Sequence, residues 1–141
     1  MNRTALPSLR PAAVLSVLFA VLMVLAVACG SGASTPAATH SPADNLREAR
    51  GNVVKASNAL AANDMAGAKA GLEVFDGENG DWGRIEDSIR EKSLDHYTAI
   101  EAAISQAKDA LLRPANPNLV QARDAITKLL AAIDAAIPVL K

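Results

Sequence analysis

The sequence predicts an all-α protein: an antiparallel four-helix bundle that follows a signal peptide and a flexible tether. Apolar residues recur every three or four positions after residue 43, which is the spacing of one face of a helix. Aromatic residues make up only 3% of the chain, so the core must be aliphatic and rich in alanine. Gly, Pro and Asn cluster at three points and divide the segment into four amphipathic stretches.

The first 28 residues have the pattern of an export signal. Arg3 and Arg10 precede an uncharged run over 11–28, and small residues lie before Cys29, the only cysteine of the chain. This arrangement resembles the signal of bacterial lipoproteins, which implies cleavage before Cys29, acylation of its thiol and attachment to a membrane through that lipid. An uncleaved membrane anchor and an ordinary cleaved signal are the alternatives. All three interpretations place residues 30–141 in the extracytoplasmic part of the cell envelope.

Residues 29–43 are predicted to be a lipidated cysteine followed by a disordered tether. The tether is rich in small residues and in Ser, Thr and Pro, which bury too little apolar surface to fold. His40 lies in this tether and receives no role. The helical domain is then 44–141. Without Arg3 and Arg10 the chain keeps 12 basic and 15 acidic side chains, a formal charge of −3. That balance, with no basic stripe, argues against nucleic acid as a partner.

The first two helices are predicted over 43–62 and 65–76. The first helix has one apolar face and is ended by Asn63 and Asp64. Asp64 is placed to cap the second helix. The residues predicted to face the core from these two helices are Leu46, Ala49, Val53, Leu60, Ala61, Met65, Ala68, Leu72 and Phe75.

A turn at 77–80 precedes a long third helix over 82–112, capped by Asp81. A Pro-Ala-Asn-Pro segment ends it, and Asn116 before Pro117 predicts a fourth helix over 117–139. The residues predicted to face the core from these helices are Trp82, Ile89, Ile100, Ile104, Ala107, Leu111, Leu119, Ile126, Leu130, Ile133 and Ile137.

Polar residues interrupt the inner face of the third helix. Glu86, His96 and Tyr97 fall on or beside the apolar stripe together with Ser93, and Glu86, Arg90, Ser93, Tyr97 and Glu101 form a ridge of neighbours three or four positions apart. A buried carboxylate is costly unless it is paired or binds something.

Glu86, Glu101, Tyr97 and His96 are therefore the candidate ligand-binding residues for a cation or a small polar ligand. On a straight helix Glu86 and His96 lie about 15 Å apart, too far to share one metal. Asp64, Asp76 or Asp124 would have to supply further ligands. The alternative is an exposed ion-pair network with no ligand.

The same stretch carries a family resemblance. Phe75, Trp82, Ile85-Glu86-Asp87, Ile89-Arg90, Ser93, Tyr97 and Ile100-Glu101 resemble the extracytoplasmic helical domain associated with bacterial high-affinity iron permeases and, more distantly, the imelysin-like iron-uptake proteins. The resemblance implies a helical bundle that works beside a transport system for iron or another divalent cation. The chain departs from it in two ways, since it has no permease membrane domain and no His-x-x-Glu motif.

Two functions follow as hypotheses. The first is a lipid-anchored binding or accessory protein for the uptake of iron or another cation, with a membrane permease or envelope protein as partner. The second is a structural or interaction lipoprotein with no ligand site. An enzyme is not predicted, because the sequence contains no nucleophile elbow, phosphate loop or His/Cys metal cluster.

Overall fold

The computed structural model describes residues 40–141, which form five α-helices and a closing 3₁₀ turn, so the all-α class is confirmed. The helices are α1 (Pro42–Ala61), α2 (Met65–Asp76), α3 (Asp81–Lys92), α4 (Leu94–Leu111) and α5 (Leu119–Ala136), and the 3₁₀ turn is Ile137–Val139. The predicted signal (1–28), Cys29 and all of the tether before residue 40 lie outside the described residues. None of the described helices is long and apolar enough to cross a membrane.

Side-chain caps define where three of the helices begin. The Ser41 hydroxyl accepts a hydrogen bond from the Asp44 amide, so α1 starts at Pro42, inside the predicted tether. The Asp64 carboxylate accepts from the Gly67 amide at 2.9 Å and caps α2 as predicted. The predicted start of the last helix at residue 117 is two residues early. Asn118 supplies the capping oxygen there, which accepts from the amides of residues 120 and 121.

The prediction of a single helix over 82–112 is wrong, because the helix is interrupted at Ser93. This residue has extended backbone angles (φ −157°, ψ 98°) between α3 and α4. On one straight helix, Trp82 and Glu101 would be about 28 Å apart, yet the Trp82 indole N–H donates to the Glu101 carboxylate at 2.5 Å. α3 therefore folds back along α4, and the predicted arrangement of four antiparallel helices is not confirmed.

Asp81 also differs from its prediction. It is the first residue of α3 and Gly80 holds the capping position, so no side chain caps this helix. The Asp81 carboxylate instead accepts from the Asn52 side-chain amide of α1 at 2.6 Å and pairs with Arg84 one turn along α3. A residue expected to act locally thus ties α3 to α1.

α1 lies at the centre of the described domain and packs against α2, α3, α5 and the 3₁₀ turn. Its buried positions follow a three-four spacing, which includes Ala56 and leaves Ala61 exposed, contrary to prediction. Met65, Leu119, Leu130 and Ile137 are only partly buried, whereas Leu129 is fully buried. The core is entirely apolar, since no polar or charged residue among 40–141 is buried.

Gly71 marks the closest approach between helices. A methyl group there would lie 2.9 Å from the backbone nitrogen of Ala56 and 3.0 Å from the carbonyl oxygen of Asn52. These are backbone atoms of α1 that cannot rotate away. α1 and α2 are thus in backbone contact, which only glycine allows.

We expect Gly71→Ala to lower the free energy of unfolding by about 1–2 kcal/mol, because overpacking costs about 1–3 kcal/mol and the gain in helix propensity offsets only part of it. Gly51 is the matched control: it is exposed on α1 and a methyl group there would meet nothing. Gly51→Ala should therefore stabilise by about 0.5–1 kcal/mol. Urea denaturation followed by circular dichroism measures both, and a stabilising Gly71→Ala would contradict the close approach.

An ion pair joins α1 to α5. The Arg50 guanidinium donates to both carboxylate oxygens of Asp134, at 2.6 and 2.9 Å. This hydrogen bonding between the two charged groups lowers the pKa of Asp134 and raises the pKa of Arg50. Nearer the other end of α5, the Arg123 guanidinium donates to the Leu60 carbonyl at the end of α1. The two links show that α1 and α5 run antiparallel.

We expect the contribution of this pair to depend on pH. The Asp134 pKa is lowered in the folded state, so its stabilisation is present above the unfolded-state value near 3.9 and is lost as the pH falls through the folded-state pKa. Because both side chains are partly exposed, Asp134→Asn should cost only about 0.2–1 kcal/mol at pH 7 and nothing near pH 2. Asp124→Asn is the control, because it removes the same charge from the same helix without breaking a contact between helices. An Asp134→Asn effect that persists in acid would count against the pair.

Candidate functional site

An aromatic stack joins α2, α3 and α4 at the segment that the sequence singles out. The Trp82 ring lies between Phe75, at 6.2 Å between centroids, and Tyr97, at 6.0 Å, with the Trp82 and Tyr97 planes 16° apart. Trp82 and Phe75 are buried, while Tyr97 is half-buried. Offset stacks of this kind add about 0.5–1.5 kcal/mol per pair to the burial of the rings. The stack holds α3 against its neighbours.

Polar groups surround this stack on its outer side. Glu101 is half-buried on α4 and accepts the Trp82 N–H. The Arg90 guanidinium lies 5.7 Å from the centre of the Tyr97 ring, within cation–π distance, and also donates to Asp87 at 2.6 Å. Two of the four predicted residues, Glu101 and Tyr97, therefore contact the same tryptophan from one turn of α4.

The predicted polar interior of this region is wrong. Glu86, His96, Tyr97 and Glu101 are half-buried, not buried, because the break at Ser93 turns them to the edge of the core. His96 Nδ1 and the Ser93 hydroxyl share a hydrogen bond of 2.8 Å across the first turn of α4. The Glu86 side chain makes no hydrogen bond or ion pair with any other residue of 40–141. The predicted continuous ridge is thus split between two helices.

The carboxylates expected to complete a ligand set have intrachain partners. Asp64 caps α2, and Asp124 pairs with Lys128 at 2.8 Å. Asp76 pairs with Lys108 at 2.7 Å. Asp76 and Glu101 nevertheless line one surface cleft of about 220 Å³, whose other lining residues are Ile104, Ser105, Lys108 and Arg113. Of the three predicted partners, Asp76 is the one seen to share a cleft with a candidate residue, Glu101.

Residues 40–141 contain no group of three or more His, Cys, Asp or Glu side chains arranged to hold a metal ion. The described geometry defines an all-α domain with a cluster of aromatic and acidic residues where α2, α3 and α4 pack together. Comparisons with models of protein families, with curated proteins and with solved structures find no match. The resemblance to iron-permease and imelysin-like domains therefore stays a prediction.

Three features were not predicted from the sequence. The break at Ser93 had a local signal, since Ser followed by Leu94 and Asp95 is a favourable start for a helix. The bonds of Trp82 to Glu101 and of Asn52 to Asp81 had none, because their partners are 19 and 29 residues apart and meet only after folding. Asp81 and Arg84 also line two cavities beside α3 that the sequence did not indicate.

The bond between Trp82 and Glu101 should be measurable as an energetic coupling. We expect Trp82→Phe and Glu101→Ala to be coupled by about 1–2 kcal/mol in a double-mutant cycle of unfolding, since a hydrogen bond to a charged group contributes about 1.5–3 kcal/mol. Tyr97→Phe is the control, because the Tyr97 hydroxyl has no hydrogen-bond partner in the described part of the chain. Strictly additive losses from the two substitutions would contradict the bond.

Proposed function

We propose that this chain is an exported, lipid-anchored accessory protein whose helical domain binds a protein partner in the cell envelope. The pattern of Arg3, Arg10, the apolar run and Cys29 supports export and attachment to a membrane on its extracytoplasmic side. A membrane permease or another envelope protein would be the partner. No enzymatic activity and no nucleic-acid partner are proposed.

One observation carries the choice of a partner-binding domain over a ligand-binding one. Three of the four candidate ligand residues already have an interaction within the domain: Glu101 accepts from Trp82, His96 bonds Ser93, and Tyr97 lies under Arg90. A cation would have to displace these interactions. Helix surfaces with satisfied polar groups favour recognition by shape and charge.

The attachment can be tested at Cys29. We expect mass spectrometry of the membrane fraction to show a chain that begins at Cys29 and carries acyl groups, and Cys29→Ser to stay unprocessed and without lipid. A full-length product with a free thiol would overturn the anchor. A product cleaved at another position would indicate an ordinary signal.

Binding to a partner is tested separately, by crosslinking the full-length protein in its own cells. Recovery of one dominant envelope protein, lost with Cys29→Ser, is expected. Recovery of no specific protein at saturating crosslinker would count against this function.

A second candidate is a cation-binding accessory role for iron or another divalent cation. The observation that favours it is the cleft shared by Asp76 and Glu101. Two carboxylates offer the hard oxygen ligands that suit iron, manganese or calcium. The Lys108 ammonium, which pairs with Asp76, would have to move aside.

We expect such a site to be weak. Calorimetric titration of the full-length protein with Mn²⁺, Ca²⁺ and anaerobic Fe²⁺ should give saturable heat that Asp76→Asn with Glu101→Gln removes. Asp124→Asn with Glu91→Gln is the charge-matched control. No heat at millimolar ion would remove the cation role and leave the partner-binding function in place.

A further inference from the structure

A groove runs between α1 and α3 and continues to the end of α2. Two cavities, of about 240 and 620 Å³, share Asp81 and Arg84 in their walls. The smaller is completed by α1 and the middle of α3, with Asn45, Glu48, Ala49 and Ile85. The larger is completed by the end of α2 and the following turn, with Glu73, Val74, Gly77, Glu78 and Asn79. We call this feature the α1–α3 groove.

The turn that lines the larger cavity is tightly packed at Gly77. A methyl group on Gly77 would lie 2.3 Å from the Glu73 carbonyl, so this position admits no side chain without a shift of the turn. Val74 is 53% exposed in the same wall, although it is a large aliphatic residue. The groove thus offers one uncovered apolar contact beside the turn over 77–80.

The charges of the groove are unbalanced. Arg84, its one basic lining residue, is held by Asp81 and by the Asn79 carbonyl. Glu48, Glu73 and Glu78 are exposed, and none of them forms an ion pair within residues 40–141. Four acidic side chains against one basic side chain leave a formal charge of −3 along the groove, and three of the four acidic side chains line the same cavity as Val74.

We propose that the α1–α3 groove docks a basic amphipathic segment of the partner protein. Aliphatic side chains of that segment cover Val74, and its Lys or Arg side chains pair with Glu48, Glu73 and Glu78. Complementary charge speeds such encounters and sets their orientation. This inference rests on the proposed partner-binding function and names the surface and the class of partner.

A designed peptide provides the probe. It is a helical peptide of 15 residues with Leu on one face and Lys on both flanks. The peptide is titrated into the processed, lipid-bearing protein, which carries ¹⁵N-labelled glycine and is held in a non-ionic detergent, and the amide chemical shifts are followed by NMR. We expect saturable shifts at the Gly77, Gly80 and Gly83 amides and none at Gly67. Glu73→Gln with Glu78→Gln should weaken binding at least fivefold, and Val74→Ser should also weaken it.

Two controls make the test decisive. Glu91→Gln with Asp95→Asn removes the same charge from exposed positions on α3 and α4, outside the groove lining, and should leave the affinity unchanged. A peptide with Glu in place of Lys should not bind. Absence of saturable shifts, or equal weakening by the two double variants, would overturn the groove assignment. If cellular crosslinking still recovers a partner from the Glu73→Gln, Glu78→Gln variant at the normal yield, the groove is wrong and the accessory function stands.

Discussion

The structure depends on the close packing of α1, which lies against three helices and the final turn and touches the backbone of α2 at Gly71. The only cysteine lies outside the described domain, so no disulfide supports the fold. Alanine and glycine offer little apolar area each, but they let helices approach until many weak dispersion contacts form. Small residues on α1 and α2 therefore stabilise the fold mainly because they let the two helices approach closely, and less through the apolar area that each of them buries.

α3 connects this packing to the surfaces that carry the proposed functions. It buries only three side chains, Trp82, Ile85 and Ile89, and is otherwise polar. The Trp82 bond to Glu101 holds one side of it to α4, and the Asp81 bond to Asn52 holds the other to α1. The cleft at Asp76 and Glu101 lies near the first link and the α1–α3 groove beside the second. This one short helix thus lines the α1–α3 groove and, through Trp82, bonds Glu101 of the cleft.

The candidate site was predictable as a stretch of sequence but not as an arrangement. Glu101 and Tyr97 share a turn of α4, so their proximity followed from helical spacing alone. Glu86 was expected on the same ridge, and the extended backbone at Ser93 moved it to another helix. Asp76 beside Glu101 was one of three pairings that the sequence left open. Which carboxylates meet depends on how helices cross, and no local pattern encodes that.

The sequence alone determined the all-α class, the positions of three of the four turns between helices to within a few residues, and most of the aliphatic core, because helical periodicity and capping act over three or four residues. It overlooked the turn at Ser93, where a residue type favoured at helix starts lies within an otherwise continuous helical pattern. Only the tertiary structure decided that α3 folds back on α4. In this arrangement Trp82 is buried between Phe75 and Tyr97. Its burial depends on contacts between residues far apart in sequence, and local sequence patterns do not determine such contacts.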